Sequence, residues 1–303
     1  MRAIARWTIS PRRGARAGYV DAPMLCNSAI LAAHLHDPHW VIFDCRHDLT
    51  DPEKGGRQYA EAHVPGAHFA SVEAALAGRK NGKNGRHPLP RAEEFAAFLE
   101  SHGVGAESTV VAYDDAGGLY AARLWWLVRW IGHERMLLLD GGWSKWVAEG
   151  GATTAASPVP SPSQTGLRSV GVAGMGVWSA QEVATRLADA TGALIDARQP
   201  ERYRGEIEPI DPIAGHIPGA LNRFYKMNLQ ADLTFRSPEE LRTEFVALLG
   251  ARTPERVGHQ CGSGITACAN IFAMEYAGLV GSNLYAGSWS EWIADGARPV
   301  ARG

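Results

Sequence analysis

What the chain lacks sets the first limits. It has no apolar run near the ~18 residues needed to span a membrane, so no membrane partner is expected. Its net charge is only −2, without a block of basic residues in the body of the chain. That balance excludes the electrostatic footprint of a nucleic-acid binder and leaves small molecules or proteins as partners. Cysteine is scarce: Cys26, Cys45, Cys261 and Cys268 in 303 residues are too few for a disulfide framework and point to a reducing, cytoplasmic setting. No spacing of His, Cys, Asp or Glu suits a metal, and no cofactor is expected. The first 20 residues hold Arg2, Arg6, Arg12, Arg13 and Arg16 and no acid, yet Pro11 and Gly14 break any amphipathic helix there. Residues 1–26 therefore read as a disordered tail, with Met24 as an alternative start and Asn27 or Ser28 capping the first helix.

What is present centres on His259-Gln-Cys-Gly-Ser-Gly-Ile-Thr-Ala-Cys268. An apolar approach ends at Cys261, and Gly262, Ser263 and Gly264 let the backbone curl so that successive N–H groups converge. A helical pattern follows at once and adds the positive end of its dipole. Such a cradle, continued by Ile265 and Thr266, favours a thiolate, so Cys261 is the candidate nucleophile. No Arg or Lys lies between Cys261 and Cys268, and position 267 is alanine, so the loop lacks the charged clamp that a Cys-based phosphatase needs. Cys268, about two helical turns along, is a poor redox partner for Cys261.

The chain also repeats itself. Asp44-Cys-Arg46 and Asp196-Ala-Arg198 end short apolar strands 152 positions apart, and His63-Val-Pro-Gly-Ala67 matches His216-Ile-Pro-Gly-Ala220 at 153. Asp114 corresponds to Cys261 at 147, and Gly-Gly-Trp-Ser-Lys-Trp146 to Gly-Ser-Trp-Ser-Glu-Trp292 at 146. Four motifs in one order make a duplication. Each half alternates strands and helices, which implies α/β architecture with a mostly parallel sheet and helices on both faces, and catalytic groups at the carboxyl ends of the strands. Residues 27–150 form the first unit, 151–176 an Ala-, Ser-, Pro- and Gly-rich linker, and 177–303 the unit bearing Cys261. With Asp114 where the other half has cysteine, the first unit cannot run thiol chemistry and is expected to wall the cleft and lend side chains. The paired His63 and His216 are expected to pin loops, Asp44 and Asp196 to organise strand ends, and the clustered tryptophans to pack helices.

Taken together, these motifs resemble the two-domain rhodanese-type sulfurtransferases over about residues 27–300. The resemblance implies two tandem rhodanese-like domains and an enzyme that carries sulfur as a cysteine persulfide from a small-molecule donor to a thiol, such as a thioredoxin-type dithiol, or to cyanide. The neutral loop Cys261–Cys268 is similar to that of the 3-mercaptopyruvate enzymes rather than the thiosulfate enzymes, whose loops carry cations. It further implies a relay in which Ser263 pairs with His87, in His87-Pro-Leu-Pro90, and with an acid counted to Glu73, on an expected short helix. This relay would supply the proton that a pyruvate enolate needs on leaving. Arg202 matches the family's anion-binding arginine. A second arginine expected after Glu208-Pro209 is absent at Ile210, leaving Arg204 or Arg223 as substitutes. Thiosulfate as donor, or a persulfide carrier serving a partner protein, are the alternative readings.

Overall fold

The computed structural model describes residues 23–159, 163, 165–167, 175–188, 190 and 192–303; the expected tail up to residue 22 and part of the central linker lie outside them. In the first half the strands are β1 (Leu25–Cys26), β2 (Trp40–Asp44), β3 (His68–Phe69), β4 (Thr109–Tyr113) and β5 (Met136–Leu139). In the second they are β6 (Gly176–Val177), β7 (Ala193–Asp196), β8 (Leu221–Asn222), β9 (Val257–Gln260) and β10 (Asn283–Leu284). Hydrogen bonding orders them β1-β5-β4-β2-β3 and β6-β10-β9-β7-β8, the same topology twice, and each paired ladder is parallel. The duplicated motifs thus come from duplicated sheets.

Parallel sheets must be covered on both faces, and the central strands show it. Phe43, Val110 and Ala112 point into one core, while their neighbours Ile42 and Val111 point into another. The larger core joins the two halves: Trp125, on the helix Ala121–Trp130, meets Phe272, on the helix Ala267–Tyr276, edge-on at 5.1 Å between ring centroids. Trp125, Trp126 and Trp146 are fully buried, as packing residues should be. Buried Asp44 and Asp196 accept the backbone N–H of Arg46 and Arg198 and also grip those side chains. His63 and His216 stack on Tyr59 and Tyr203 and bond their carbonyls, the loop-pinning role expected of them.

Two boundaries differ from the sequence reading. Leu25–Cys26 pairs with β5, so the folded body begins inside the expected tail, and Gly176 already belongs to β6. Two-residue strands are too short to produce a readable alternation. Asn27 caps the first helix, Ser28–Ala33, by accepting the Ile30 N–H.

Candidate active site

Cys261 leaves the carboxyl end of β9 and lies buried at the floor of a cleft of about 250 Å³. The residues after it turn tightly because Gly264 takes φ +82°, and a Cβ there would collide with the Ala286 carbonyl. This closeness draws the Gly264 N–H onto Cys261 Sγ at 3.2 Å. The loop is fastened from behind by the second tryptophan motif. The Cys261 N–H donates to Ser288 Oγ at 3.1 Å, while the Trp289 and Ser290 N–H groups donate to the Cys261 and Gly262 carbonyls. Ile265 is buried against the core, and the helix opens at Ala267, just after Thr266. Cys268 is different: burial pushes its thiol up to about 12, and it donates to the Gly264 carbonyl.

The first half closes over this loop with a polar chain. Ser263 Oγ lies 2.7 Å from His87 Nδ1, and His87 Nε2 lies 2.8 Å from Glu73 Oε1. Glu73 sits in a turn that begins at Ser71, not in a helix, and also holds Lys80 at 2.8 Å. Burial pushes the Glu73 carboxyl up, but Lys80 and His87 together outweigh it and hold it below its usual range. Burial drives His87 down to about 4 against the pull of Glu73, so its imidazole is neutral at pH 7. A carboxylate only accepts, so Nε2 carries the hydrogen and Nδ1 takes the serine hydroxyl's.

Arg123, fully buried on the tryptophan helix, ties both partners together. Its guanidinium donates to the Gly264, His87, Pro88 and Leu76 carbonyls at 3.1–3.4 Å. Sequence reasoning passed over it. The available signal was a lone cation in the apolar run Leu119 to Leu127, where a charge must be buried and fully bonded.

Of the expected arginines, Arg202 lines the cleft, held by Glu208 at 2.6 Å and Asp211 at 3.2 Å. Arg204 does not: it turns outward to Glu206 and Glu201, because Gly205 ends its short helix in a left-handed turn. Arg223 is committed elsewhere, buried against Asn228 and Glu244. Sequence reasoning did not single out Arg86, which reaches across from the first half to pair with Asp211 and lines the cleft together with Arg198 and Lys226.

Asp114, the counterpart of Cys261, accepts four backbone N–H groups at 2.7–2.9 Å, from Ala116, Gly118, Tyr120 and Ala121. The corresponding loop of the second half brings one N–H, that of Gly264, onto Cys261 Sγ.

Comparison with known proteins agrees with this geometry. The model of the Rhodanese-like domain matches residues 28–149 and 179–295. A Pseudomonas aeruginosa protein named a probable 3-mercaptopyruvate sulfurtransferase is 44% identical over 296 residues, 94% of this chain and 100% of its own. The bovine thiosulfate sulfurtransferase is 33% identical over 78% of this chain and 79% of its own. The structure of a 3-mercaptopyruvate sulfurtransferase from Leishmania major superposes with a TM-score of 0.78 at 30% identity, covering 89% of this chain and 74% of that one.

Proposed function

The chain belongs to the family of rhodanese-like domain proteins, and from that premise we propose that it is a sulfurtransferase with 3-mercaptopyruvate as preferred donor and Cys261 as the sulfur carrier. The observation that carries the donor choice is the Ser263–His87–Glu73 chain beside Cys261. A sulfur donor whose leaving group departs as a stable anion has no use for such a relay.

In the first half-reaction the Cys261 thiolate attacks the donor's thiol sulfur. The new S–S bond forms as the S–C bond breaks, and its electron pair leaves on carbon as the pyruvate enolate. One proton, that of the donor's S–H, must reach the enolate. Ser263 passes it: its hydroxyl hands a proton to the free Nδ1 of neutral His87 while taking up that of the sulfur, and the flow then reverses toward the enolate. Glu73 fixes the tautomer and steadies the transient imidazolium. Gly262, Gly264, Ile265 and Thr266 shape the cradle that receives the persulfide anion, and Arg202 with Arg86 faces the donor's carboxylate. In the second half-reaction a thiol or cyanide attacks the outer sulfur and releases the Cys261 thiolate. The four free cysteines fit a reducing cytoplasm, and a small thiol or a dithiol protein serves as acceptor.

The cations lining the cleft, Arg86, Arg198, Arg202 and Lys226, and the bovine relative favour thiosulfate as the second reading. Turnover of the two donors side by side, with one thiol acceptor and a Cys261→Ser control, decides. A strong preference for mercaptopyruvate is expected. Preference for thiosulfate refutes the donor assignment, and loading only from a protein persulfide makes the chain a carrier.

A further inference from the structure

The arginines that face the donor share a carboxylate that the sulfur chemistry above does not use. Arg86 from the first half and Arg202 from the second converge on one carboxylate, Asp211, with Arg86 Nη1 on Oδ1 and Arg202 Nη2 on Oδ2. Its side chain is 2% exposed, against 29% for Arg86 and 11% for Arg202. All three crowd the residue that follows the nucleophile. A Cβ placed on Gly262 would lie 2.9 Å from Arg86 Nη2, 3.7 Å from Arg202 Nη2 and 3.7 Å from Asp211 Oδ2. Asp211 is fixed there, because its N–H donates to Glu208 Oε1 at 3.0 Å.

Both of these arginines are thus already bonded to an internal carboxylate, as is Arg198, held by Asp196, while Lys226 completes the cationic lining of the cleft. An arriving anion either displaces Asp211 from a guanidinium or binds beside it, and in both cases it meets a fixed negative charge. The repulsion scales with the charge of the arriving group. Mercaptopyruvate brings one negative charge at neutral pH, since its thiol is protonated, whereas thiosulfate brings two. We propose that Asp211 is a specificity-determining residue, a resident competitor that biases the cleft toward singly charged carboxylate donors and against dianions. The inference rests on the sulfurtransferase reading and adds to it the reason for donor selectivity in a cleft lined with arginine.

The test is Asp211→Asn, which keeps the shape and removes the charge. A unit charge in a half-screened cleft is worth about tenfold in the affinity of a monoanion and about a hundredfold in that of a dianion. The ratio of kcat/KM for thiosulfate to that for mercaptopyruvate should therefore rise about tenfold, with a steeper loss on adding salt. Asp211→Glu, which keeps the charge, should not raise it, and Arg86→Met, which leaves Asp211 less compensated, should lower it. Calorimetric binding of sulfate and of pyruvate to Cys261→Ser, with and without Asp211→Asn, reads the same selectivity without turnover. The sulfate gain should exceed the pyruvate gain. Equal gains for the two anions, or an unchanged donor ratio in a variant with a normal thermal melt, overturn the proposal. If the wild type takes sulfur from neither donor, the sulfurtransferase reading fails instead, and the sulfate–pyruvate comparison still judges Asp211.

Discussion

Replacing His87 with alanine separates a proton relay from a mere spacer. The imidazole is buried and neutral, and holding its conjugate acid costs more here than in water: a fall from 6.5 to about 4 corresponds to about 3 kcal/mol. His87 therefore takes a proton only fleetingly, beside Glu73 and the reacting serine. Losing a positioned proton carrier costs ~10²–10⁴ in rate, and that loss should fall on mercaptopyruvate, whose enolate must be protonated. Thiosulfate expels sulfite, which needs no proton, so its turnover should change by less than about threefold, within the range of small geometric effects. The backbone of the loop should hold, because Arg123 grips the His87 carbonyl and not its ring. The assay is single-turnover release of pyruvate or sulfite, with the sulfur on Cys261 followed by mass spectrometry. Equal losses with both donors would refute the reasoning and make His87 a prop for Ser263.

Acid should unfold the protein early. Burial lowers His87 and His68 to about 4 and His259 to about 3, so the unfolded chain takes up their protons first. Stability from these groups is complete above about pH 6.5 and drains away as pH falls to 4 for His87 and to 3 for His259, by about 3 kcal/mol for the first and about 5 kcal/mol for the second. Urea midpoints between pH 7 and 4 should fall steadily, and a flat profile would contradict these environments. Arg123→Met should lose ~2–4 kcal/mol, because the Gly264, His87, Pro88 and Leu76 carbonyls are stranded together. Arg123→Lys should recover only part, lacking the fork, and urea denaturation of the pair checks this.

The Cys261 loop and the doubled sheet were legible in the sequence because each leaves a local mark, whereas the pairing of Ser263 with His87 and Glu73 came only from the resemblance. Cys261 sits in small residues at a strand end, and the repeat shows as matched motifs. Arg86 left none. It meets Asp211 from a position 125 residues away, in the other half, and only the docking of two domains brings them together. Arg204 failed for the opposite reason. It stands beside Arg202 in sequence, but two positions along a helix point to different sides, and Gly205 turns the chain away.

The first half holds a plugged copy of the reactive loop. Asp114 fills its cradle with a carboxylate that four N–H groups grip and that never leaves. Where the second copy holds a thiol touched by a single N–H, its twin holds a carboxylate bound by four. On the proposed chemistry, the chain thereby displays the outline of its own inhibitor: a short acid, presented from the end of a strand, seated at the position that corresponds to Cys261.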